Sequence, residues 1–235
     1  MAVRASVCAA RTRLGPGHFV GPLALWVSGT PRLSEIAEDA VAVAGTPRPS
    51  DYGIEVTAAI VADVTARGMA VAAIGGPGIG AHALSTAHRI PAPTVAVLAC
   101  STDLAHRHHN HHLRSPRPGT GLLVSEYPPG SPTRPRRVAA AHRLLAALTR
   151  ATVLVESDRC WSEVSIIWAQ RLGRNAYAVP GPITSPTSHS SNCLIADHDV
   201  TAVVSPRNIF LVSGELPAEP LPGHDAGNRS NGEPT

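Results

Sequence analysis

Lysine is missing from this sequence, and all 20 basic residues are arginine. Any grip on phosphate must therefore come from guanidinium groups, backbone amides or hydroxyls, and a lysine-dependent phosphate loop is excluded. Aromatic residues make up only 3%, against 43% hydrophobic overall. The core must be built from Ala, Val, Ile and Leu. The four cysteines, Cys8, Cys100, Cys160 and Cys193, are scattered and form no CxxC pair. They read as reduced thiols rather than a disulfide framework. No apolar run approaches the roughly 18 residues of a membrane span. The start, MAVRASVCAARTRLGPG, has no apolar stretch of the kind a signal peptide needs. The expectation is a soluble, cytoplasmic protein.

The length suits one domain with loose ends. Residues 1–22 lack a clear period and read as a poorly ordered leader, and 23–212 as a single folded domain. Residues 213–235, rich in Pro, Gly and Asn, read as a disordered tail. Within the domain, short aliphatic runs alternate with segments of helical period. LALWVS (23–28), VAVA (41–44), MAVAAI (69–74), TVAVLA (94–99), GLLVSE (121–126), TVLVES (152–157) and NAYAVP (175–180) read as strands. Predicted helices are LSEIAED (33–39), opened by Ser34, then 50–68, 81–89, 138–150 and 162–173. A further short helix follows the hydroxyl-rich loop that starts at 179. Such alternation implies βαβ units, so the predicted fold is α/β, a Rossmann-like open parallel sheet with helices on both faces.

Ligands of such sheets bind outside the carboxyl ends of the strands, so the segments after the strands hold the candidate residues. GTPRPSDYG (45–53) offers Arg48 and a helix opened by Ser50 or Asp51. IGGPGIGAHA (74–83) fits neither a dinucleotide fingerprint nor a phosphate loop, but the amides of Gly75 and Gly76 could cradle an anion. SEYPPGSPTRPRR (125–137) gathers Arg134, Arg136 and Arg137 just before a helix carrying His142 and Arg143. VPGPITSPTSHSSN (179–192) adds hydroxyls and ends on Asn192. Carboxylates are few in these loops. Glu156, at a strand end, is a possible base, but no nucleophile elbow accompanies it. The inventory suits holding phosphates better than breaking bonds, so neither a catalytic residue nor a cofactor is predicted.

Taken in order, these segments resemble the DNA-processing DprA/Smf family over roughly residues 22–210. PLALWVSG (22–29) looks like the strand leading into the family's core. VAVAGTPRPSDYG resembles its G-[SA]-R-x-x-S-x-Y-G turn through Gly45, Ser50, Tyr52 and Gly53. IGGPGIGAHA resembles S-G-x-A-x-G-I-D-x-x-A-H, and SEYPPG closely matches a family segment. HRLLAALTRATVLVES, VPGPITSP and SNCLI complete the series. The resemblance implies a Rossmann-type domain that binds single-stranded DNA and forms homodimers. It implies protection of incoming DNA during transformation and loading of a RecA-type recombinase. The implied contacts are Arg48, Ser50, Gly75, Gly76, Arg136, Arg137, His142, Arg143 and Asn192. Four departures touch that surface. Pro47 stands where the turn arginine belongs, Gly80 replaces an Asp, His142 replaces an Asn, and Trp161 replaces a glycine. The N-terminal accessory domain of longer members is expected to be absent.

The segment HRHHNHH (106–112) falls in a variable region of the family and reads as a solvated loop, with no functional metal predicted. Two other readings remain open. One is a diverged interaction module that has lost DNA binding. The other is a nucleoside-monophosphate phosphoribohydrolase of the lysine-decarboxylase-like group. That group's P-G-G-x-G-T-x-x-E turn would need a Thr and Glu where GGPGIGAHA has neither.

Overall fold

The computed structural model describes residues 4–6, 21–90, 92–105, 120–157, 162–197 and 199–209. Among them, nine strands form one sheet: β1 (Arg4–Ser6), β2 (Leu25–Gly29), β3 (Ala40–Ala44), β4 (Ala70–Ile74), β5 (Thr94–Leu98), β6 (Gly121–Ser125), β7 (Ala151–Leu154), β8 (Asn175–Ala178) and β9 (Thr201–Ala202). Their order across the sheet is β1-β2-β6-β5-β4-β3-β7-β8-β9. The seven strands from β6 to β9 are mutually parallel, the Rossmann-like arrangement that the alternation predicted. β2 runs antiparallel to β6, pairing Trp26 with Ser125, and β1 runs antiparallel to β2. LALWVS is thus a strand as read, but its direction is set by its partner and not by its own composition. β1 lies in the stretch expected as a leader, and the two-residue β9 is too short for any period to reveal.

The helices are α1 (Leu33–Ala37), α2 (Asp51–Ala66), α3 (Ile79–Arg89), α4 (Pro135–Leu148), α5 (Glu163–Arg171) and α6 (His189–Ala196). Strand alternation divides the core. Val41 and Val43 of β3 face Ile60, Val61 and Val64 of α2 and Leu84 of α3 on one side. Ala40 and Ala42, with Ala70 and Ala72 of β4, face Leu144, Leu145 and Leu148 of α4 and Ile36 of α1 on the other. These small strand residues let the leucines of α4 fill the layer. Each fully buried Leu or Val contributes about 1.5–3 kcal/mol, so an aliphatic core suffices with almost no aromatic rings.

Helix starts follow the sequence less closely. α1 begins at Leu33 as predicted, but its cap is Arg32 and not Ser34. α4 begins at Pro135, three residues before its periodic apolar stretch. A proline at the first helical position loses no hydrogen bond and already has a helical φ, so the arginines counted as loop residues lie in the helix's first turn. No helix of the described residues is long and apolar enough to cross a membrane.

Candidate nucleic-acid interface

The chain passes from β3 through β4 and β5 to β6, then returns to place β7 on the opposite side of β3. The crevice between the ends of β3 and β7 is where Rossmann-type sheets receive their ligands. Here it is filled from within. Glu156, 1% exposed, follows β7 and accepts from the Ser50 backbone N–H at 3.0 Å, the Ser50 hydroxyl at 2.6 Å and the Thr187 hydroxyl at 2.9 Å. Its carboxylate lies against the first turn of α2, so close to Gly53 that a Cβ there would meet Oε2. A helix N-terminus attracts an anion. The protein supplies that anion itself.

The glycine-rich turn after β4 is also committed internally. The Gly75 amide donates to the Val97 carbonyl at 2.8 Å and the Gly76 amide to the Ile74 carbonyl at 2.9 Å. The cradle expected from these two amides is therefore not formed, because both are spent on the chain's own carbonyls. The glycines instead let backbone pack on backbone. Gly78 has φ +91 and lies where a Cβ would strike the Thr46 carbonyl and Pro47, and the next amide, Ile79, donates to that carbonyl at 3.1 Å.

Three further predicted contacts face inward. Ser50 caps α2, its Oγ accepting from the Gly53 amide at 3.2 Å while its hydroxyl serves Glu156. Asn192 holds the turn after β8, accepting from the Gly181 amide at 3.1 Å and donating to the Gly181 carbonyl at 3.0 Å. His142 is 6% exposed, with Nδ1 2.7 Å from Ser165 Oγ on α5. Burial pushes its pKa down to about 4. Expected as a phosphate contact, His142 is a neutral core residue, because its position on α4 faces α5. This has a pH consequence. An unfolded imidazole titrates near 6.5, so between there and pH 4 the unfolded chain takes up a proton that the folded chain refuses. That contribution to stability is whole above the unfolded pKa and falls with pH. It amounts to about 2 kcal/mol lost between pH 7 and 4.5. Urea unfolding of the wild type and of His142→Asn at both pH values should show the wild type losing that much more. Parallel losses would contradict it.

What remains at the surface is arginine. Arg48, Arg134 and Arg136 are exposed, and Arg137 and Arg143 are partly so. Arg134 caps α4, and Arg136 and Arg137 occupy a first turn without an acidic residue. Arg137 lies over the Tyr127 ring, its Cζ 4.4 Å from the centroid, and Nη1 donates to the Pro132 carbonyl at 2.8 Å. Arg143 pairs with Glu126, the residue before Tyr127. Burial and the neighbouring Glu126 push the Tyr127 phenol pKa up, keeping the ring neutral. Asp103 accepts from the Gly130 amide, in the turn after Tyr127. Arg48, after β3, lies three strands from the β6 cluster, or roughly 14 Å at about 4.8 Å per strand. Tyr127 went unmarked in the sequence because it stands ten residues before its partner Arg137, a spacing with no helical or strand meaning. Arg159, Trp161 and the histidines of 106–112 lie outside the described residues. Among the described residues no three His, Cys, Asp or Glu side chains gather as a metal site.

A sequence profile for DNA recombination-mediator protein A matches residues 19–212. The chain belongs to the DprA/Smf family. The DNA processing protein DprA of Mycobacterium tuberculosis is 36% identical over 212 residues, covering 88% of this chain and 54% of that protein. The chain thus spans about half the length of this curated relative. Among solved structures, DprA of Helicobacter pylori, described for its single-stranded DNA binding mode, aligns with a TM-score of 0.76 at 22% identity. That match covers 88% of this chain and 92% of the other. DprA of Streptococcus pneumoniae aligns with a TM-score of 0.73 at 24% identity, covering 80% and 65%. These two likenesses establish a shared DprA fold. Against it, the Pro47 departure places Arg48 in an exposed turn, and Gly80 packs where a Cβ would meet the Ile74 carbonyl.

Proposed function

We propose that this chain is a DNA-processing protein that binds single-stranded DNA without catalysing a reaction on it. In this reading it protects the strand and assists loading of a RecA-type recombinase, acting as a homodimer. The observation that carries the reading is the first turn of α4. Three guanidinium groups gather at the positive end of a helix dipole whose first turn carries no acid. Each costs a few tenths of a kcal/mol or more, and an extended polyanion turns that cost into attraction. The contacts we assign are Arg136, Arg137 and Arg143, with Arg134 beside them and Arg48 farther along the strand ends. Ser50, Gly75, Gly76, His142 and Asn192 are spent on the chain itself and are structural in this reading. The recombination-mediator family and the DNA described for the H. pylori relative support the reading as a single-strand binder.

The filled crevice weighs against a nucleotide-cleaving enzyme, since Glu156 would repel a substrate phosphate at the switch point. The reading as an interaction module draws on the inward-facing predicted contacts. Mobility shift at low salt separates the two. Oligothymidylate should be retarded, with a log–log salt slope of about −0.7 per phosphate contacted. Failure to retard it would favour the interaction module.

A further inference from the structure

Building on the single-strand reading above, we propose that Tyr127 and Arg137 form a stacking platform for an unpaired base, and that this platform discriminates single-stranded from duplex DNA. The guanidinium lies over the phenol ring with its Cζ 4.4 Å from the centroid. The Arg137 side chain and the Tyr127 backbone are both tethered. Arg137 Nη1 donates to the Pro132 carbonyl at 2.8 Å, and its backbone amide donates to the Arg134 carbonyl at 2.9 Å. The Tyr127 amide donates to Ser125 Oγ at 3.0 Å, and that hydroxyl donates to the Cys100 carbonyl at 2.7 Å. An arginine wanted only for its charge gains nothing from being held over a ring. A planar group already fixed loses little freedom when a base covers it.

The guanidinium covers one face of the ring, and neither residue is buried. Bases stack on aromatic rings and on guanidinium planes alike, with little regard to sequence. Arg134 and Arg136, exposed on either side of Pro135, supply charge for the adjoining phosphates. A base inside a duplex is already stacked on both sides and cannot reach the platform without being extruded. The preference thus follows from geometry, while the arginines alone would attract either form of DNA.

Two labelled probes of equal length and charge test this by fluorescence anisotropy: oligothymidylate and an abasic deoxyribose-phosphate oligomer. The wild type should bind the first about tenfold more tightly. Arg137→Lys keeps the charge but not the plane, and Tyr127→Leu removes the ring. Each should bring the ratio close to one while leaving the salt slope on the abasic probe unchanged. Tyr127→Phe should keep the wild-type ratio, which controls for loss of fold. If Arg137→Lys and Tyr127→Leu retain the ratio, or the wild type shows none, the platform is wrong and single-strand binding stands. Absence of binding to both probes at low salt overturns both.

Discussion

Glutamine at Arg134, Arg136 and Arg137 together should weaken binding to oligothymidylate roughly 100-fold and flatten the salt slope by about 2. The slope follows from counting. Each lost single-strand phosphate contact removes about 0.7 from it, and three residues are changed. The affinity follows from about 1 kcal/mol per exposed guanidinium–phosphate contact, the lower end of charged hydrogen bonds once solvent screening is allowed for. Stability should not fall in step. Removing three positive charges from the start of α4 relieves repulsion with the helix dipole. The lost Arg137 contacts with Tyr127 and Pro132 offset that gain, so net stability should stay within about 1 kcal/mol of wild type. Anisotropy titrations at several salt concentrations, with a denaturation curve for each variant, check both halves. An unchanged slope would move the site away from α4.

Glu156→Ala should produce the largest stability loss of any single change considered, about 4 kcal/mol. The carboxylate satisfies three donors from two loops, the Ser50 amide and hydroxyl and the Thr187 hydroxyl. Each left unsatisfied in a buried site costs about 1–3 kcal/mol. Truncation also leaves a cavity beside Gly53, which has no side chain to fill it. Glu156→Gln keeps the volume and one acceptor but turns an N–H₂ group towards donors, so its loss should be intermediate. Chemical denaturation midpoints measure both. A Glu156→Ala protein as stable as wild type would contradict the role of this side chain as the tie between the turns after β3, β7 and β8. Such a result would also reopen the switch point as a ligand site.

The alternation of aliphatic runs with helical periods made the parallel sheet legible, because buried strands and amphipathic helices leave opposite signatures at the level of single residues. VAVA and MAVAAI could hardly be anything but central strands. What period cannot carry is direction or partner. β2 therefore appeared as a strand with no sign that it would lie antiparallel to β6, and β9 did not appear at all. The candidate site was legible in composition and much less so in allocation. The arginines of 134–137 were marked by their clustering, and the structure leaves them at the surface. Ser50, the glycines of 75–76, His142 and Asn192 were marked by position, and the structure spends each on the chain itself. A sequence shows which donors follow a strand. It does not show which acceptors reach them first, and Glu156, 106 residues beyond Ser50, is such an acceptor. Tyr127 escaped notice for the same reason, since its importance lies in the distant residue stacked on it.

The central claim is that single-stranded DNA lies across the carboxyl ends of the strands and is held at the start of α4. Amide hydrogen exchange with and without oligothymidylate tests it most directly. The account predicts slowed exchange in the segments 46–50 and 126–143, with none in the turns that lead into β4 and β5 at the opposite end of the sheet. Protection confined to that opposite end, or to neither, would contradict it.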